Sequence, residues 1–231
     1  MNITVLTPTI GTTDLERCVN SVSTQTINKK HSVRHLVVAD GKQYLADATK
    51  YAMKGWQGEG LTPRIYAIPD NTGANGWNGH KIYAHFAQLI DCDYLFLLDE
   101  DNTFQPDHIE TLLPIAEKHG FAWSMRNIYT KSNEYLGIDR VESIGLHLNA
   151  NGYALVDTSC WCLRKDNINM LRYFLEPWSG DRTFTKAMIE AHNGIQQGKS
   201  DLATLNYYAP DRLIDYFKSI NSNFRENISF R

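Results

Sequence analysis

Three acids stand side by side, Asp99, Glu100 and Asp101, where the apolar run Tyr94 to Leu98 ends. Adjacent carboxylates repel one another unless a positive charge lies among them. Hard divalent cations take oxygen ligands, and Mg2+ or Mn2+ is commonly held by one or two carboxylates together with substrate phosphates and water. Asp99 and Asp101 are therefore a candidate metal pair, although turn or cap duty before a helix near Pro106 explains the same acids without a ligand. Other polar residues also stand where apolar runs end: Thr7 and Thr9, Asp40, and Asn71. In an open, mostly parallel sheet, ligands bind beyond the carboxyl ends of the strands. These residues are expected to converge in one crevice.

The elements that must position them alternate in the first half of the chain, as successive βαβ units do. "ITVLTP" reads as a first strand, followed by a helix with Leu15, Cys18, Val19 and Val22 on one face. "HLVVADG" is a second strand, Tyr44 to Met53 a helix, and "RIYAIPDN" a third strand. Ile82, Phe86, Leu89 and Ile90 make a helical stripe before the fourth strand, "YLFLLDED". Pro106 fits the first turn of a helix with Ile109, Leu112 and Leu113 inward, and Pro114 is expected to kink or end it. Beyond Gly120, "FAWSMRNIY", "YALVDTSCWCL" and "LATLNYYAP" read as strands, with helices from Thr183 to His192 and Arg212 to Ile220. The expectation is a single α/β domain over residues 1–231.

Composition narrows the partners. The 231 residues carry a formal net charge of −3 without a basic block, which argues against nucleic acid and anionic membrane surfaces. The four cysteines lack the spacing of a zinc site or disulfide framework, so core packing in a reducing cytosol is the simplest reading. The start "MNITVLTPTIG" has no basic leader, and no apolar run is long enough to span a bilayer. A cytoplasmic protein, at most peripheral to an inner membrane, is expected; a homo-oligomer stays open.

The acid cluster has company. "TVLTPTIGTTDLERCVNSVSTQT", then "HLVVADG", then "DNTGANGWNGHKIYAHFAQLIDCDYLFLLDEDN" resembles, in order and spacing, the nucleotide-binding half of the family 2 glycosyltransferases, over roughly residues 3–107. The resemblance implies a GT-A fold: a Rossmann-like, mixed but mostly parallel sheet flanked by helices. It also implies that Thr7, Pro8 and Thr9 border the base and that Asp40 meets the uracil or ribose, against an ordinary Asp-Gly turn. Asp101 matches the family's metal ligand and Glu100 the position that meets the ribose, with Asp99 a first acid or a supporting one. Asn102 stands where many relatives have another Asp. His80 and Lys81 replace the family's Arg-Asn pair and are candidate diphosphate contacts; a solvated lysine on a tight loop is the alternative.

Glycosyl transfer passes through a transition state with oxocarbenium character. Negative charge growing on the departing diphosphate needs a Lewis acid, and the acceptor hydroxyl must lose a proton. The resemblance puts the base on an acidic pair at a helix start. Here "EPWSGDRTFTKAM" offers Asp181, with Gly180 in place of the first acid and Glu176 in reserve; an N-cap explains Asp181 equally. Sugars pack their CH faces on aromatic rings, which nominates Trp161 and Trp178 as acceptor platforms, with core packing the alternative for each. His147 and His192 receive no role, and the tail "NSNFRENISFR" remains undecided.

The reading is an inverting transferase that uses Mn2+ or Mg2+ and a UDP-sugar, and builds a bacterial surface polysaccharide on a glycan or lipid-linked glycan. Residues 1–107 would bind the donor and 108–231 the acceptor. A catalytically silent nucleotide-sugar-binding protein of the same fold is the alternative. A sugar-1-phosphate nucleotidyltransferase fits less well, because "TPTIGTTDLERC" supplies no basic, glycine-rich phosphate loop.

Overall fold

The computed structural model describes the chain except residues 29, 59–61, 147, 150, 175 and 229–231, and the side chains of 221–228 lie outside the description. Strand β1 (Asn2–Thr9) pairs in parallel with β2 (Ser32–Ala39) and, through its other edge, with β4 (Tyr94–Leu97). A third parallel strand, β3 (Arg64–Ala67), flanks β2. Strands β1, β2 and β4 are buried on both faces at their carboxyl ends, which is why they read as continuous apolar runs without alternation.

Helix α1 (Asp14–Ser23) buries Leu15, Cys18, Val19 and Val22, the stripe that its sequence announced. Asp14 and Glu16 in its first turn complement the positive end of the helix dipole. Helix α2 (Leu45–Gly55) lies close against α1: a Cβ at Gly55 would stand 2.1 Å from the Glu16 carbonyl oxygen, so glycine sets the approach.

Past β4 the sheet changes direction. β8 (Trp161–Arg164) runs antiparallel to β4, and β6 (Phe121–Thr130) antiparallel to β8. β9 (Lys199–Ala209) runs parallel to β6, while β5 (Thr103–Phe104) pairs antiparallel with β9 and β7 (Tyr135–Ile138) forms a hairpin with β6. Among the described residues the strand order is β3-β2-β1-β4-β8-β6-β9-β5. Because β6 thus runs the same way as β4, both strands present their carboxyl ends at one edge. That edge receives the three acids and the β6–β7 turn.

Four sequence expectations change. Helix α3 (His80–His85) gives way at once to a 3-10 turn, Phe86–Leu89, which leaves Leu89 80% exposed at a place where the stripe put it inward. Helix α4 (His108–His119) begins after Pro106 and runs through Pro114, held by buried Leu112, Leu113 and Ala116 on either side of the missing N–H bond. It ends at Gly120, whose φ of 85° suits glycine. In "YALVDTSCWCL" the only strand is β8; the Asp157 carboxylate accepts the Ser159 N–H at 3.0 Å and folds Thr158–Cys160 into a 3-10 turn. Strands β5 and β7, of two and four residues, are too short to show a period.

Helix α5 (Gly180–His192) packs Phe184 and Met188 into the core, and α6 (Asp211–Ile228) lays Phe217 against Ile128 and Ala209. All four cysteines are free and buried, in keeping with core packing. Among the described residues no helix is long and apolar enough to cross a membrane.

Candidate active site

The acids after β4 point in three directions. Asp99 turns inward, where Oδ1 accepts the Tyr83 hydroxyl at 2.9 Å and Oδ2 the Ser159 hydroxyl at 3.1 Å. Burial, then Asp157 and Asp101, push its pKa up to about 8. Glu100 turns toward the loop after β1 and accepts from Thr9 Oγ1 (2.5 Å), Ile10 N (3.2 Å) and Thr12 N (3.2 Å). Asp101 faces outward, 43% exposed at the side chain, with Oδ2 at 2.9 Å from Lys131 Nζ. The positive charge that the cluster required is this lysine, on the β6–β7 turn.

Several residues nominated for the donor are spent on the protein itself. The Thr7 hydroxyl meets His35 Nε2 at 2.9 Å beneath α1. Pro8 packs under Gly79, where an added Cβ would meet its ring at 2.7 Å. Thr9 is bound to Glu100, whose carboxylate organises residues 9–12. Asp40, 2% exposed, accepts from Thr72 N (2.8 Å), Thr72 Oγ1 (2.9 Å) and Gly73 N (2.7 Å), so it clamps the glycine loop. These partners lie 32 and 33 positions along the chain, so the Asp40 carboxylate ties two strand-end loops together and does not serve a local Asp-Gly turn. Lys81 lies 4.3 Å over the Trp77 ring, a cation–π contact. His80 is buried, its Nδ1 at 3.0 Å from the Glu176 carbonyl oxygen and its pKa lowered by burial, which makes it a neutral strut between the glycine loop and the segment before α5.

That strut explains a departure from the family pattern. A Cβ at Gly180 would stand 2.6 Å from His80 Nδ1, so the acid expected there has no room. The next residue, Asp181, is half-buried in the first turn of α5, and its Oδ1 accepts the Arg182 N–H at 2.8 Å. Burial, then the neighbouring Asp157, push its pKa up to about 6, against the opposing pull of Arg182. Asp157 raises both Asp181 and Asp99, so acids from the two halves of the chain share one electrostatic neighbourhood. Glu176, the reserve base, is exposed and accepts the Ser179 hydroxyl at 2.9 Å.

The two tryptophans separate cleanly. Trp161 is 0% exposed and packs edge-on against Phe184, centroids 5.2 Å apart; it is core and cannot serve as a platform. Trp178 is 70% exposed and holds φ at 63°, an uncommon conformation for a bulky residue that recurs at functional sites. Its N–H donates to the Gly76 carbonyl at 2.7 Å, which joins the glycine loop to the segment before α5. His192 bonds Asn167 Oδ1 at 3.1 Å beside Phe121 and has a structural role; His147 lies outside the described residues, as do the tail's side chains.

A buried network behind the acids escaped the sequence reading. Arg126, 2% exposed on β6, donates Nη1 to Asp157 (2.7 Å), Nε to Asp139 (2.9 Å) and Nη2 to Glu142 (2.9 Å). Burial works against its charge, but Asp157, Asp139 and Glu142 more than offset that, and the guanidinium is held charged. Ser159 passes the order on, donating to Asp99 and accepting the Asp99 N–H at 2.9 Å. Asn102, 1% exposed, accepts the Tyr208 N–H at 3.3 Å and directs its amide to Ser159 Oγ, also at 3.3 Å. An amide can donate and accept there where a carboxylate could only accept. No periodicity or spacing signal could have linked these partners.

Among the described residues no three His, Cys, Asp or Glu side chains gather as a closed metal cage. The donor set fits a different kind of site. An exposed carboxylate, Asp101, with Asp99 behind it suits a cation that completes its shell with substrate phosphate and water.

The mixed sheet and its flanking helices define a class of fold, the GT-A fold. The chain is similar to the crystal structure of S. aureus TarS 1-349 in complex with UDP-GlcNAc, at 16% identity and TM-score 0.64, covering 91% of this chain and 59% of that one. It is also similar to TarS 1-349 in complex with UDP, at 12% identity and TM-score 0.61, covering 95% of this chain and 65% of the other. It thus spans less than two thirds of these relatives. No curated protein sequence matches it. The chain belongs to glycosyltransferase family 2, whose model matches residues 4–173.

Proposed function

We propose that the protein is an inverting glycosyltransferase that moves a sugar from a UDP-sugar to a glycan or lipid-linked glycan acceptor, in assembly of a bacterial surface polysaccharide. The observation that carries this reading is the hydrogen-bonded line that runs from Asp99 through Ser159, Asp157, Arg126 and Glu142 to Arg182, the residue beside Asp181, and so ties an acid of the donor half to the start of α5 in the acceptor half. Residues 1–107 supply the donor side and residues 108–231 the acceptor side. The UDP found with the TarS structures supports this choice of nucleotide.

Asp181 is the base. With a pKa of about 6 it is ionised at neutral pH yet retains proton affinity, the compromise that general-base catalysis requires. Its carboxylate removes the acceptor hydroxyl proton as the acceptor oxygen bonds to the anomeric carbon from the face opposite the leaving diphosphate, whose bond to that carbon breaks, which inverts the configuration. Asp101 would hold Mn2+ or Mg2+ with Asp99 in support; when bound, the cation supplies Lewis-acid stabilisation of the departing diphosphate. Exposed Trp178 presents an apolar face for the acceptor sugar, and the anchored loops at 9–12 and 71–73 shape the donor pocket with backbone groups.

A panel of UDP-sugars, assayed for transfer and for donor hydrolysis with and without chelator, tests the reading. Asp181→Asn should lower kcat by about 100-fold or more while the Kd for UDP stays unchanged. Turnover indifferent to both chelator and Asp101→Asn would defeat the metal assignment. UDP binding without turnover on any donor would favour the catalytically silent alternative.

A further inference from the structure

Lys131 sits on the turn that joins β6 to β7, and that turn is braced: the Thr130 hydroxyl meets Ser132 Oγ at 2.9 Å and accepts the Glu134 N–H at 3.0 Å. The lysine backbone is therefore fixed beside the acids. Its ammonium stands 2.9 Å from Asp101 Oδ2 and 3.7 Å from Asp14 Oδ2. A second cation, Arg17, completes the set, with Nη2 at 2.8 Å from the Asp101 carbonyl oxygen and 3.2 Å from Asp14 Oδ1.

The two cations differ in freedom. The Arg17 guanidinium is pinned by a backbone carbonyl, a carboxylate and the Tyr208 ring 3.7 Å beneath it. Lys131 is a point charge on a flexible four-carbon stem, 38% exposed, and two carboxylates share its ammonium. A divalent cation on Asp101 and an ammonium on the same carboxylate repel at this range. A diphosphate arriving with that cation brings anionic oxygens that can take the ammonium over. Asp14 offers the lysine a second carboxylate while it moves.

We propose that Lys131 is an exchangeable counter-ion: it neutralises Asp101 in the nucleotide-free protein, yields that carboxylate to the divalent cation, and then pairs with the diphosphate of the donor. This rests on the metal and nucleotide reading above. It adds a positioning residue for the leaving group that neither the acid motif nor the glycine loop contains.

Two binding measurements on the full chain test it: Mn2+ titration followed by electron paramagnetic resonance without nucleotide, and UDP calorimetry at saturating Mn2+. They are made on the wild type, Lys131→Met, Asp101→Asn and the double variant. Lys131→Met should tighten Mn2+ binding about threefold or more, because an exposed ion pair is lost. It should leave Mn2+ affinity unchanged in the Asp101→Asn background, and should weaken UDP binding at saturating Mn2+ severalfold. Mn2+ affinity that is unchanged or weaker in Lys131→Met overturns the exchange, and unchanged UDP affinity overturns the diphosphate contact. In either case normal Mn2+ and UDP binding by the wild type leaves the transferase reading standing. Absence of Mn2+ and UDP binding in wild type and Lys131→Met alike removes that reading and the inference together.

Discussion

Asp181 can be followed by pH. Its carboxyl is raised to about 6 by burial and then by Asp157, so below that pH it is protonated and cannot accept the acceptor's proton. The expected kcat/KM profile therefore rises about tenfold per pH unit up to about 6 and is flat just above it, since this ratio reports groups of the free enzyme. A profile flat from about pH 5 to 7 would remove Asp181 from the base role. The same shifts act on stability in the opposite sense. A carboxyl whose folded pKa is raised favours the fold fully below the ordinary carboxylate range, and that contribution is lost as pH rises through about 6 for Asp181 and about 8 for Asp99. Stability is sacrificed at neutral pH for carboxyls kept close together.

At the scale of elements, the glycine loop and the segment before α5 come from different halves of the chain and meet at two points: Trp178 against Gly76, and His80 against Glu176 and Gly180. Gly76 holds φ at 83°, and an added Cβ would stand 2.0 Å from the Trp178 indole. Gly76→Ala should cost about 1–2 kcal/mol, from left-handed strain and a displaced ring. If Trp178 receives the acceptor sugar, the variant also raises the acceptor KM while UDP affinity holds. Denaturant titration and two-substrate kinetics read the two effects separately. Stability and acceptor KM both equal to wild type would show that the contact between these loops carries no weight.

For the whole molecule, Arg126 is the joint. It fastens β6 to three carboxylates in the 139–157 stretch and stacks 4.4 Å from the Tyr207 ring and 5.4 Å from Phe217 of α6. Removing one partner of a buried ionic cluster strands the others, at about 3–5 kcal/mol. Arg126→Met should therefore lower Tm by roughly 10 °C for a chain of this size, and should disturb Asp99 through Asp157 and Ser159. Thermal unfolding checks the first effect and the loss of metal-dependent turnover the second. A Tm within about 2 °C of wild type would mean that the cluster is solvated in solution.

The amino-acid sequence by itself determined the parallel half of the sheet, the buried face of α1, the strand-end position of the acids and the family, because these depend on local periodicity and on motifs that follow one another in order. It also announced Asp181 and left two tryptophans indistinguishable. Tertiary structure decided that Trp161 is core and Trp178 exposed, that Asp40 holds the loop at 72–73 and Glu100 the loop at 9–12, and that Lys131 answers Asp101. It alone assembled Arg126, Asp157, Ser159 and Asp99 into one line. Ser159 and Asp99 are 60 positions apart, and a contact across such a distance leaves no trace in composition or spacing. It exists only once an antiparallel strand has turned back to lie beside β4.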